Sequence, residues 1–465
     1  MSRAAHADMD WTTLISPTRV GNDVNTRIVG RSLYQQDFDR IIFCSAFRRL
    51  QDKTQVFPLP ESDYVRTRLT HSLEASCVGR SLGTAVGILL NDSERLPPNI
   101  APGDLGTIVS AACLAHDIGN PPFGHAGEHA IQHWFSHGIG KNILEILSDG
   151  KERWDFQYFE GNAQGFRILT RLQKPSNPGG LQLTATTLAA FSKYPRSSFD
   201  LNKTTSIPNN KSNDKFGYFQ SEKDNFEEVA TKVQLKRSSS DKSAWCRHPL
   251  AFLVEAADDI CYLLLDFEDG FRLGIVKFEV ITDHYISLLI EKDEKEEADS
   301  VFSTTKDQKE QVGLLRSLAI NSLIRQVSEA FVSKEHDMLH GKYNEELTKS
   351  IPSHEKIAAL KNASQSVYRL KYNLEIESAG FEVLGGLLDA FVPAVINLEG
   401  HSPSRKSKSY SKLLAATFWN SLERDINLSA YDKLMRITDY VSGMTDSFAV
   451  GLYRKIKGIA LPRLE

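Results

Sequence analysis

The apolar positions of this chain recur mostly at spacings of three and four. They do so over 67–91 (TRLTHSLEASCVGRSLGTAVGILLN), 107–117, 126–138 and 249–268. That spacing follows the 3.6-residue helical turn, and no sustained two-residue alternation accompanies it, so the pattern predicts a mainly α protein. Three stretches break the periodicity. Residues 173–245 contain PSNPGG, SIPNNKSNDK and KRSSSDK and predict a loop-rich insertion between helices. Residues 291–312 (EKDEKEEADSVFSTTKDQKEQV) are densely charged and predict a solvated helix or linker. Residues 401–412 (HSPSRKSKSYSK) predict a basic, Ser-rich loop inside a second helical region, 313–465. No internal repeat on the scale of roughly 20–50 residues is visible.

Composition narrows the class without naming a function. A length of 465 residues allows one large domain or two to three smaller ones. The chain is 41% hydrophobic and 25% charged, as a soluble globular protein is. A formal charge of -4 gives no overall drive toward nucleic acid or anionic membrane. The start, MSRAAHADMDW, is polar and predicts no signal peptide. No run approaches the roughly 18 uninterrupted apolar residues of a membrane span. The five cysteines (44, 77, 113, 246 and 261) form no CxxC pair and read as reduced thiols. A cytoplasmic protein without membrane association is expected.

The candidate chemistry begins in CLAHDIGNPPFGH, Cys113 to His125. A His-Asp pair ends an apolar run, Gly-Asn-Pro-Pro breaks the helix, and a second His follows. His71 lies in the first turns of one predicted helix, and His116 and Asp117 end another. Asp258 lies in the apolar run LAFLVEAADDICYLLLDF, where a carboxylate is costly to bury unless it is paired or bound to a cation. Two imidazoles and two carboxylates suit a divalent ion with open positions for water and phosphate oxygen.

Glu128 falls three residues after His125, on the same helical face. It reads either as an acid that orients an imidazole for proton transfer or as a first-turn carboxylate favoured by the helix dipole. His129, His133 and His137 recur at four-residue steps, but Ile131, Trp134 and Phe135 define the buried stripe, so these histidines are expected in solvent. Tyr262 and Asp266 follow Asp258 at i+4 and i+8. They read either as the wall of a site or as a tyrosine hydroxyl bonded within the core.

Longer strings carry a resemblance. His71, His116-Asp117 and Asp258 follow the pattern of the HD-domain metal-dependent phosphohydrolases. FRRLQDKTQVFPL (47–59), RTRLTHSLE (66–74), HDIGNPPFGHAGE (116–128), FEGNAQGFR (159–167), KFGYFQSEK (215–223), EAADDICY (255–262) and YVSGMTDSFA (440–449) resemble the dGTPase-type deoxynucleoside triphosphate triphosphohydrolases. The resemblance implies hydrolysis of a dNTP to deoxynucleoside and intact triphosphate, in control of the dNTP pool. It implies one metal held by His71, His116, Asp117 and Asp258, with Mg2+, Mn2+ or Fe2+ all acceptable to that donor set. His125 is then the base or proton shuttle, supported by Glu128. Substrate contacts are implied at Gln55, Arg68, Asn162, Lys193, Tyr194, Lys215, Tyr262 and Asp266. Lys193 and Lys215 fall in the irregular insertion, whose lysines would otherwise read as solvated loop charge. The implied layout is an N-terminal segment (1–60) that reaches the site, an HD core (61–285) and a C-terminal helical region (286–465) for oligomer contacts. A homo-oligomer, often a hexamer, is implied as well. The alternatives are another HD-type nucleotide phosphohydrolase, or a nucleic-acid-binding protein whose basic loops contact single-stranded DNA.

Overall fold

The computed structural model describes residues 8–22, 30–55, 66–199, 215–238, 244–368, 371–396, 404–417 and 428–460. Among them every regular element is helical, and β pairing is confined to isolated bridges such as Arg196 with Ala244. The mainly α class read from the sequence is the one observed. The periodic stretches fold as Arg68–Asp92, Pro102–Ala115, His125–Ser136 and Pro249–Arg272.

Two irregular stretches differ from expectation. Inside the insertion, Ala185–Phe191 and Lys223–Lys232 are helices. The first is capped by Thr184 and every one of its residues is buried, so its apolar content outweighs the Pro- and Gly-rich sequence before it. The predicted loop at 401–412 is corrected more strongly, because Arg405–Thr417 is a helix. Ser404 accepts the Ser407 N–H (3.0 Å) at its start, Ser411 donates to the Ala394 carbonyl (2.8 Å), and Leu414 is buried. Tertiary packing here overrides the modest helix propensity of serine. Residues 401–403 lie outside the described residues. The charged stretch 291–312 holds the helix Lys292–Thr304 and the first turn of Gln308–Leu339.

Two hydrophobic cores organise the helices. The first is built around Arg68–Asp92, Pro102–Ala115 and Pro249–Arg272, with Gln308–Leu339 against them. Arg68–Asp92 and Pro102–Ala115 approach unusually closely. Gly79, Gly83 and Gly87, one turn apart, face Cys113, Gly106 and Pro102, and a Cβ at any of them would overlap the facing atoms. The close approach brings His71, two turns before Gly79, beside His116, which follows Cys113 by three residues. The second core gathers Ile131, Trp134 and Phe135 with Leu384, Leu387 and Phe391 of Lys371–Val395 and with Leu434 and Val441 of Ala430–Ser442. Arg68–Asp92 and Leu374–Val395 have the length and apolar content of a membrane span, and both contribute buried residues to these cores.

Candidate active site

Four segments deliver the functional side chains to the seam between the two cores. Thr67 caps the helix Arg68–Asp92 and sets His71 in its first turns. Pro102–Ala115 ends at His116, its C-cap. The chain then turns through Phe123 and Gly124, whose φ values are 64° and 57°. Gly124 is required twice over: its left-handed backbone favours glycine, and a Cβ there would run into Arg68 Nη2. The next helix, His125–Ser136, starts at once and packs on the second core. Asp258 projects from the middle of Pro249–Arg272.

Three of the four predicted ligands converge. His71 Nε2 lies 3.1 Å from Asp258 Oδ1, and His116 Nε2 lies 3.3 Å from the same oxygen. The donor atoms of this trio all fall within 4.8 Å of one another. Bonds of about 2.1 Å at right angles place neighbouring ligand atoms about 3.0 Å apart, so the trio fits a divalent cation. The donors are also prepared for one. His116 Nδ1 is 2.6 Å from the Cys113 carbonyl, which fixes the proton there and turns the Nε2 lone pair inward. Asp117 sits at the edge of the trio, with Oδ1 3.5 Å from His116 Nε2. Its oxygens accept from Asn120 Nδ2 and Arg68 Nη1, both at 2.6 Å.

Charge explains how carboxylates persist here. Burial pushes Asp258 up, but Lys193 Nζ at 2.6 Å and the two imidazoles outweigh it and hold the carboxyl well below its usual range. Burial likewise opposes ionisation of Asp117, and Arg68, His116 and His71 reverse that. Asp259, the next carboxylate on the same helix, also lines the cleft but its Oδ2 faces the Thr348 hydroxyl at 3.3 Å.

The His125–Glu128 pair stands apart. His125 Nδ1 donates to Glu128 Oε2 at 2.6 Å, while Glu128 Oε1 accepts the Gly161 N–H at 2.7 Å. Glu128 is buried, whereas the His125 side chain is 70% exposed to the cleft. The hydrogen bond to Glu128, and then its charge, raise the imidazole pKa above its ordinary 6.5 against the opposing charges of Lys215 and Arg68. Of the two readings open for Glu128, the geometry matches the acid that orients an imidazole. His129, His133 and His137 are exposed.

A cleft of about 480 Å3 joins these groups, lined by Gln55, Arg68, Asp117, His125, Asp258 and Tyr262 among others. A second cleft of about 410 Å3 meets it at His125 and His129 and is lined by Lys215, Glu160 and Glu128. Not every predicted contact reaches these walls directly. Lys193 is buried against Asp258, Tyr194 lies half-buried with the Arg247 guanidinium 5.5 Å from its ring centroid, Asn162 bonds to Glu160, and Asp266 is buried one turn beyond Tyr262. A larger cavity of about 530 Å3 adjoins the same turn through Ile118 and Lys53, but its lining includes none of the converging ligands.

Two organising residues were not singled out in the sequence. Asp446 accepts from the Thr54 N–H (2.9 Å) and the Phe123 N–H (3.0 Å), tying the Gln55 segment to the His125 turn. Asn120 reads in the sequence as part of a helix break, yet it holds Asp117. Both lie inside the quoted strings, and only the fold shows what they touch.

The chain is similar to known proteins. Residues 68–172 match the HD domain family. A deoxyguanosinetriphosphate triphosphohydrolase-like protein of Synechocystis sp. is 44% identical over 97% of this chain and 100% of its own length. One of the same description from Pseudomonas aeruginosa is 38% identical over 98% and 100%. The chain belongs to the deoxyguanosinetriphosphate triphosphohydrolase-like family of HD-domain hydrolases. The deoxyguanosinetriphosphate triphosphohydrolase of Salmonella typhimurium is 30% identical over 92% of this chain and 94% of its own length. The HD-domain match contains His71, His116, Asp117, His125 and Glu128 but ends before Asp258, which the fold brings back to it.

Proposed function

We propose that this protein hydrolyses deoxynucleoside triphosphates, dGTP among the good substrates, to a deoxynucleoside and inorganic triphosphate, using one divalent metal ion. The observation that carries the reading is that one cleft is lined both by Asp258, which His71 and His116 face from behind, and by His125, which Glu128 anchors. The names of the relatives support the substrate class. His71, His116, Asp117 and Asp258 would hold Mg2+ or Mn2+, with Fe2+ compatible too, and the ion would supply charge neutralisation at the phosphates.

The chain's own groups do the rest. A triphosphate brings about four negative charges, and Arg68, Lys193 and Lys215 supply cations around the cleft. His125 donates from Nδ1 to Glu128, so Nε2 remains to take a proton from the attacking water or to return one to the leaving oxygen. Attack at the α-phosphorus breaks the bond to the 5′-oxygen and leaves the triphosphate whole. Gln55 and Tyr262, which line the cleft with Asp258, would meet the sugar. Most of the rate then comes from positioning and electrostatics. A homo-oligomer and a part in limiting the dNTP pool belong to the same reading.

Chromatography of the products from each dNTP, with Mg2+ or Mn2+, tests it. Deoxynucleoside and triphosphate are expected. Pyrophosphate or orthophosphate as the only inorganic product would refute the reading.

A further inference from the structure

Glu160 has no place in the metal trio or the proton-transfer pair, yet it holds two other predicted substrate contacts, Asn162 and Lys215. Its side chain is buried, and the single oxygen Oε1 accepts from two residues of different segments. Asn162 Nδ2, on the helix Gly161–Arg167, lies 2.7 Å from it. Lys215 Nζ, carried by the insertion, lies 3.2 Å from it. The next residue, Gly161, gives its N–H to Glu128 at 2.7 Å, and Glu128 holds His125. Two consecutive residues therefore fix the phosphate-side lysine, the asparagine and the proton-transfer pair.

We propose that Glu160 is a positioning residue, whose carboxylate sets Lys215 and Asn162 as one unit for the phosphates of the substrate. The proposal rests on the reading of those two residues as substrate contacts. The chemistry favours such a role over simple neutralisation. An ammonium has three donors, so Lys215 can keep Glu160 on one and offer two to phosphate oxygens. A lysine side chain is costly to order, and a tether made before substrate arrives removes part of that cost from binding. Lys215 is 34% exposed, so it reaches the second cleft while its position stays fixed from below.

A second observation separates Glu160 from its neighbour. A Cβ on Gly161 would meet Asn120 Oδ1 and lie 2.7 Å from Glu128 Oε1. Gly161→Ala therefore presses on Asn120, which holds Asp117, and on Glu128, whereas Glu160→Gln acts on the Lys215 side. Glutamine keeps an acceptor for Asn162 and loses only the charge that holds the lysine.

The test measures kcat and KM for dGTP with Mn2+, affinity for inorganic tripolyphosphate, and thermal midpoint. It compares wild type with Glu160→Gln, Glu160→Ala, Lys215→Ala and the Glu160→Gln/Lys215→Ala double variant. Glu160→Gln should raise KM and the tripolyphosphate Kd by roughly threefold to tenfold, the scale of one hydrogen bond, with kcat nearly unchanged. Glu160→Ala should do more, and Glu160→Gln carries the test if the alanine variant does not fold. In the Lys215→Ala background Glu160→Gln should add nothing, because a residue that acts through Lys215 has nothing left to position. Gly161→Ala should lower kcat with little change in KM. An unchanged or lower KM in Glu160→Gln, an additive effect in the double variant, or the same KM rise in Gly161→Ala would each overturn the proposal. Wild-type protein that releases no triphosphate from any dNTP would refute the proposed function instead, and tripolyphosphate affinity would still decide the role of Glu160.

Discussion

The two halves of the cleft are built to opposite rules. On the metal side, His71, His116 and Asp258 stand on three helices of the first core, and the two imidazoles are buried. Each carboxylate oxygen there has at least one partner within 3.3 Å. On the proton-transfer side, His125 belongs to a helix of the second core, is largely exposed, and is anchored through Nδ1 by Glu128. A cation site needs ligands held at fixed separations, and several partners per atom supply that. A proton shuttle needs one anchored nitrogen and one that can reach substrate. The two kinds of group come from different cores, and the cleft lies where the cores meet.

The largest effect should come from the metal side. Asp258→Ala removes the oxygen that both imidazoles face, and metal content and turnover should both fall to background. Asp259→Ala, tested beside it, should keep its metal. Full activity in Asp258→Ala would reverse the assignment of the two aspartates.

The seam itself is the next place to break. Arg167 joins the cores: Nε and Nη2 each donate to the Asp439 carboxylate at 2.8 Å, and Nη1 donates to Glu222 at 2.6 Å. All three side chains are buried. Asp439→Ala leaves part of a guanidinium uncompensated, and breaking such a pair costs about 3–5 kcal/mol. Denaturant titration should show that loss, while the folded fraction keeps its metal, because the trio rests on the first core alone. A loss under about 1 kcal/mol, the scale of an exposed pair, would mean that Arg167 does not tie the cores.

Much of this was legible in the sequence, for a physical reason. His71, His116 and Asp258 sit on or at the end of helices whose apolar period is visible along the chain, so the element that carries each was legible, while their meeting, across 187 residues between His71 and Asp258, comes from packing. The helix at Arg405–Thr417 was not legible, because serine and lysine favour loops until Leu414 and the Ser411–Ala394 contact decide otherwise. Gly161 and Asp446 act by contacts across 33 and up to 392 residues of sequence. No local pattern encodes such contacts, and only packing creates them.

On the proton-transfer side the expected loss is smaller but cleaner. His125→Ala should keep its metal and its affinity for dNTP and turn over about a hundredfold slower, the usual scale for a lost acid or base. Loss of metal in that variant would make His125 a ligand. Glu128→Gln sharpens the comparison through pH. Glu128 favours the imidazolium and raises the His125 pKa, so removing its charge lowers that pKa. Whichever limb of the kcat profile His125 controls should therefore move to lower pH. A limb that stays in place would separate Glu128 from the titration of His125.

The smallest expected effect concerns the sugar, where the two sides of the cleft face each other. Tyr262 lies one turn beyond Asp258, on the helix that carries the metal side, and lines the same cleft as Gln55 and His125. In the proposed reading, a deoxyribose whose 5′-oxygen is near His125 and whose phosphates are near the trio would lie along the wall that holds this ring. A ribose 2′-hydroxyl pressed against the ring would lose its water without gaining a partner, at about 1–3 kcal/mol. That corresponds to a preference for dGTP over GTP of about fivefold to 160-fold in kcat/KM. Tyr262→Ala should slow dGTP turnover and narrow the ratio, because the ring both supports the sugar and rejects the hydroxyl. The measurement is kcat/KM for dGTP and GTP on both proteins. Equal wild-type values would remove the sugar role of Tyr262. A narrowed ratio with unchanged dGTP turnover would keep its selectivity but assign support of the sugar to another residue.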